Sequence, residues 1–111
     1  MQDLTDQALT QVAQYFSALA EPTRLRLLNS LREGEKNVGD LAIICGCSQA
    51  NVSRHLSMLA KHGLIQREAR GNTAFYSIAD PSVYALCDLV CGNVSRQLLA
   101  QAQLLGVRTG E

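Results

Sequence analysis

Gln49, Asn51, Ser53, Arg54, Ser57 and Lys61 crowd into one short stretch, and their side chains share a chemistry. Gln, Asn and Arg carry paired hydrogen-bonding groups that match the edges of bases, while Ser, Lys and Arg bind phosphate oxygens. His55 adds a ring nitrogen able to meet a phosphate or a base. A second group of reactive side chains is sulfur: Cys45 and Cys47 flank Gly46, and Cys87 and Cys91 stand four residues apart. Residues at that spacing share a helix face with Cβ atoms roughly 6 Å apart, so Cys87 and Cys91 can hold a thiophilic ion jointly, with Cys45 or Cys47 supplying the third soft ligand it needs if the helices meet. Oxidation or persulfidation of either pair is the other chemistry open to them. Cysteine is also among the most buried residue types, and a purely structural role for all four is a third reading.

The polar stretch needs a helix to present it, and local signals supply one. Ser48 can cap the exposed N–H groups, and Gly63 supplies a left-handed stop after Lys61 and His62. Val52, Leu56 and Leu59 fall at helical spacing and form the buried stripe opposite the polar face. Upstream, Asn37 caps a short helix with Val38, Leu41, Ala42 and Cys45 turned inward, and Gly46 ends it. Two helices joined by a tight glycine turn, the second bearing the polar face, make a helix-turn-helix pattern.

The flanks extend the pattern. Leu64 to Glu68 and Thr73 to Ile78 read as strands around an Arg70-Gly71-Asn72 turn, a hairpin wing from which Arg67, Arg70 and Asn72 reach a phosphate or the minor groove. Leu9, Val12, Ala13, Phe16, Leu19 and Ala20 describe a first amphipathic helix. A second opens at Pro22, turns Leu25, Leu28 and Leu31 inward, leaves Arg24, Arg26 and Arg32 on its surface, and stops at Gly34. Asp80 as cap and Pro81 as first residue start a long last helix whose apolar face runs through Val83, Leu86, Cys87, Val90, Cys91, Val94, Leu98 and Leu105. The fold expected is mainly α with a small β-hairpin, one winged helix-turn-helix domain over residues 1–111. Its helices fall near 7–20, 22–33, 38–45, 48–62 and 81–105, and its wing at 64–78.

Composition bounds the function. A chain of 111 residues with 47% apolar content is one modest domain, neither broadly disordered nor able to span a membrane. Without a basic hydrophobic leader it is expected in the cytoplasm, with its cysteines reduced. Net charge is zero, yet residues 49 to 76 hold Arg54, Lys61, Arg67 and Arg70 against Glu68 alone. A neutral chain can therefore carry a basic face. The terminal helices bear more apolar surface than a chain this size covers, which points to a homodimer joined through them. Two-fold symmetry would set the reading helices on successive major grooves about 34 Å apart, on an inverted-repeat operator in double-stranded DNA.

These residues resemble the ArsR/SmtB family of bacterial winged-helix repressors over roughly residues 9 to 95. The resemblance rests on Leu19 to Leu28, Val38 to Leu41, Ser48 to Leu59, and Phe75 with Tyr76. It implies a dimeric repressor that leaves its operator when an inducer binds. Of the family's inducer sites, the thiolate site of the third helix meets Asn37, Gly39 and Ala42 here. The site for zinc, cobalt or nickel keeps Asp80 but meets Ser82, Asn93 and Arg96. Asp80 is read as a helix cap. Cys87 and Cys91 then remain as the candidate site for arsenite or another thiophilic ion, or for redox or reactive sulfur. Cys45 and Cys47 are a weaker pair, since they lack the second half of a structural zinc site. The alternatives are a constitutive regulator with core cysteines, and a dimer that binds only proteins. An enzyme is not expected, because no nucleophile stands with a base.

Overall fold

The computed structural model describes residues 4–106, and these divide after Asp80 into two compact units. The first contains α1 (Asp6–Leu19), α2 (Pro22–Ser30) with a 3-10 turn at Leu31–Glu33, and the short strand β1 (Lys36–Asn37). It continues through α3 (Val38–Cys45), α4 (Gln49–Lys61), β2 (Ile65–Arg70) and β3 (Thr73–Ile78). The second holds α5 (Ser82–Leu104). No helix of the described residues is long and apolar enough to cross a membrane.

Each helix of the first unit begins where a side chain can accept its free N–H groups. The Thr5 hydroxyl takes the Ala8 N–H, the Glu21 carboxylate takes that of Arg24, Asn37 that of Asp40, and Ser48 that of Asn51. The end of α3 makes the corner of the helix-turn-helix. Cys47 N–H donates to Ala42 O at 3.1 Å and Gly46 N–H to Ile43 O at 3.2 Å, with Gly46 left-handed at φ 65°. Such a conformation crowds any Cβ, so glycine serves there best. The same paired arrangement ends α4, where Leu64 N–H reaches Leu59 O and Gly63 N–H reaches Ala60 O.

The core of this unit joins Leu27, Leu28 and Leu31 to Leu41, Val52, Leu56, Leu59 and Leu64, all nearly inaccessible. Leu25, expected inward, is 43% exposed, because Leu27 and Leu28 with Leu31 already define the buried face of α2. The helix expected over 22–33 finishes its last turn as a 3-10 turn.

The wing is wider than a hairpin. β1, β3 and β2 form a three-stranded antiparallel sheet in that order, Lys36 opposite Tyr76 and Asn37 opposite Phe75. Two residues of strand carry no alternation for a sequence to reveal, so β1 escaped the sequence reading. β2 and β3 pair from Ile65 opposite Ile78 to Arg70 opposite Thr73, leaving Gly71 and Asn72 as the turn, with Gly71 at φ 61°. That is the tight connection the residues announced.

In the second unit α5 starts one residue later than expected. Pro81 occupies the cap position and has no side-chain acceptor, so Asp80 stands one residue too early to be the cap. Leu89, Val90, Val94, Leu98 and Leu99 of α5 are exposed, as are Leu9 and Phe16 of α1.

Candidate nucleic-acid interface

Ala50, Arg54, Ser57 and Lys61 follow i, i+4, i+7, i+11 spacing and form one exposed row along α4. Gln49 is exposed at its start, and Asn51 and Ser53 are half-buried at its margins. The Arg54 guanidinium donates to Asn51 Oδ1 at 2.6 Å, which holds a flexible cation in one orientation and leaves its remaining N–H groups available. Ser48 accepts the Asn51 N–H at 3.1 Å, and its own hydroxyl proton stays free to donate outward. Nothing polar at the start of α4 is spent on the interior.

Between α4 and the wing lies an open groove of about 420 Å³. Ser53 and Ser57 form one wall, Arg67, Asn72 and Thr73 the other, and Val38 and Tyr76 lie at its base. Hydroxyl, amide and guanidinium donors facing each other across such a width suit a phosphate backbone passing between them. Thr73 was not among the residues singled out from sequence. As the first residue of β3 its hydroxyl reads as strand composition, and only the fold turns it toward α4.

Two candidates sit elsewhere than expected. His55 is 6% exposed, turned inward with Nδ1 at 3.2 Å from Arg24 Nη1, so its ring is withdrawn from the outer face and cannot take the DNA contact assigned to it. It stands three residues after Val52 and four before Leu59, on the buried stripe itself. That spacing was the signal that could have found it. Arg24 likewise leaves the surface set of α2, donating to Ala18 O at 2.6 Å and Ser17 O at 3.2 Å.

Arg70 is the second. Its guanidinium binds both oxygens of Glu35 at 2.6 and 2.9 Å and Glu68 Oε1 at 2.6 Å, and lies 4.5 Å above the Phe75 ring centre. The hydrogen bonds from Arg70 hold the Glu35 carboxyl below the usual carboxylate range, and the two acids push the Arg70 guanidinium up. Two carboxylates outweigh one guanidinium, so Arg70 fastens the wing to the segment before β1 and adds no free positive charge to its tip. Arg67 is the exposed wing cation facing the groove.

A salt titration separates these roles. Replacing Arg67 with alanine should weaken duplex binding and lower the slope of log K against log salt by about one. Replacing Arg70 should weaken binding with that slope unchanged. Equal slope losses in both variants would return Arg70 to the phosphate contacts.

The cysteines separate in the same way. Cys45 is buried and its thiol is pushed up, first by burial and then by Cys47, which disfavours the reactive thiolate. Cys47 is half-buried and its thiol donates to Cys45 O at 3.4 Å. On α5, Cys87 is half-buried and Cys91 exposed one turn later. Arg96 donates to Asn93 Oδ1, so two of the positions the resemblance would give to a metal hold a hydrogen-bonded pair. Among the described residues no three His, Cys, Asp or Glu side chains converge as a metal site.

Residues 21–67 match the family model for bacterial regulatory proteins of the arsR family. The chain is 41% identical over 85 residues to the HTH-type transcriptional regulator NmtR of Mycobacterium tuberculosis, covering 77% of this chain and 71% of that protein. Among solved structures it is similar to Mycobacterium tuberculosis Rv0081, with a TM-score of 0.78 and 29% identity over 88% of this chain and 99% of that one. It is also similar to a homodimeric winged helix-turn-helix DNA-binding domain from Mycobacterium bovis, with a TM-score of 0.69 and 30% identity over 100% of each chain. The capped polar helix, the glycine corner before it and the sheet-backed wing after it are thus one inherited arrangement, and the chain belongs to the ArsR family, DNA-binding winged helix-turn-helix regulators of transcription rather than enzymes.

Proposed function

We propose that two copies of this chain, joined through α1 and α5, repress transcription by occupying an inverted-repeat operator in the cytoplasm, where the chromosome lies. The observation that carries this reading is the groove between α4 and the wing, which continues from the exposed Arg54 row and is lined on both walls by phosphate-binding groups. On this reading Gln49, Asn51 and Arg54, beside the groove on α4, contact base edges. Ser48, Ser53, Ser57, Lys61, Arg67, Asn72 and Thr73 hold the backbone. The exposed apolar residues of α1 and α5 support the pairing of two copies, since a lone chain would leave them in water. A gel-shift titration against the DNA upstream of its own gene, under reducing conditions, tests the reading. Binding that prefers that sequence and falls steeply with salt is the expected result, and binding indifferent to sequence would contradict it.

Release is assigned to Cys87 and Cys91. Cys91 is exposed and Cys87 half-buried one helical turn before it, whereas Cys45 is buried and its thiol is pushed up by that burial. Two thiols can displace two hydroxides of arsenite as water and bridge the arsenic, and an oxidant or persulfide reaches the same pair. Serine at both positions should leave operator binding intact and abolish release by these reagents. Normal release from the double variant would make the pair core residues and place the inducer site elsewhere.

A further inference from the structure

The buried face of the reading helix is tied, at its middle, to the end of α1. His55 Nδ1 lies 3.2 Å from Arg24 Nη1, while Arg24 Nε and Nη2 donate to Ala18 O and Ser17 O in the last turn of α1. These are among the last carbonyls of α1, and Ser17 O also accepts the Ala20 N–H at 3.1 Å, so the guanidinium adds to the end of α1 and reaches α4 with the same planar group. Glu21 caps α2 by accepting the Arg24 backbone N–H at 3.0 Å, which fixes the backbone from which the guanidinium extends. A guanidinium has no lone pair to offer, so the ring nitrogen facing it must be the acceptor and the ring proton sits on Nε2. Glu21 Oε2 lies 3.7 Å from the same nitrogen, too far to take a hydrogen bond from it.

We infer that the Arg24 guanidinium, joined to α1 carbonyls on one side and to His55 on the other, is the link by which α1 sets the angle of the reading helix. His55 is accordingly a positioning residue for DNA binding that touches no DNA. This rests on the reading of α4 as the DNA-contacting helix. Its physical basis is independent of that reading: a buried imidazole in α4 accepts a charge-assisted hydrogen bond, which an apolar side chain of similar size cannot replace.

Asparagine and glutamine at position 55 distinguish acceptor geometry from mere polarity. Asn carries its oxygen on Cγ, where Nδ1 is attached, whereas the Gln amide lies one bond further out. Three variants, H55N, H55Q and H55L, should therefore be compared with the native chain. The measurements are thermal midpoint, amide hydrogen exchange along α4, and affinity for the operator duplex at several salt concentrations. H55N should bind within about threefold of the native protein, whereas H55L and H55Q should bind about tenfold more weakly with an unchanged salt slope. Exchange in α4 should rise in H55L and H55Q and stay native in H55N. Native affinity in H55L, or H55N as weak as H55L, would overturn the inference. A salt slope about one lower in H55L would instead make His55 a phosphate contact and also overturn it. If the native chain binds no duplex, the exchange pattern still decides the link between α1 and α4, and only the DNA reading falls.

Discussion

Replacing Arg54 with alanine should weaken operator binding by about 1 to 3 kcal/mol per half-site, roughly 5- to 150-fold, and relax the preference at one base pair in each half. The expectation follows from position and preparation together. Arg54 is exposed in the row that leads α4, and Asn51 holds its guanidinium at 2.6 Å, so little freedom remains to be lost when it meets a base. A bidentate arginine on guanine is among the most discriminating single contacts a side chain can make. Because Arg54 packs against nothing in the core, thermal stability should change by less than about 0.5 kcal/mol. Competition binding with every single-base operator variant checks both halves of the statement. Uniform weakening across all sequences would make Arg54 a phosphate contact, and unchanged binding would remove it from the interface.

The second large effect concerns stability. Leu56 is 0% exposed on the inner side of α4, in the core that also holds Leu27, Leu28, Leu41, Val52, Leu59 and Leu64, none more than 2% exposed. Alanine there removes transferred apolar volume and leaves a cavity that helices on several sides cannot all close. Destabilisation of about 2 to 5 kcal/mol is expected. For a domain of this size that is a large share of the whole stability, and the thermal midpoint should fall by roughly 10 °C or more. Protomer concentration must be fixed, since two copies stabilise each other by mass action. A fall of under about 1 kcal/mol would mean that α4 does not rest on this core.

The parts of the fold that sequence revealed are those whose causes are local. Ser48, Asn37, Gly46, Gly71 and Pro22 act on their own neighbours, and each stands where its chemistry required, as cap, corner, turn or helix start. Errors arose where the cause was distant. Arg70 looked like a free cation because its partner Glu35 lies 35 residues away along the chain and comes near only when β1 joins the sheet. Arg24 looked like surface because the carbonyls it serves belong to another helix. His55 is different. Its spacing puts it on the buried stripe, while its polarity alone suits a surface contact. An interior histidine is tolerable only with a partner, and Arg24, in α2, is that partner.

The central claim is that α4 and its adjoining groove read duplex DNA in pairs. Hydroxyl-radical footprinting of the native protein on the DNA upstream of its gene tests it most directly. Two protected patches of inverted sequence, with centres about one helical turn apart or a multiple of it, are predicted. A single patch without symmetry, or protection that does not depend on sequence, would contradict it.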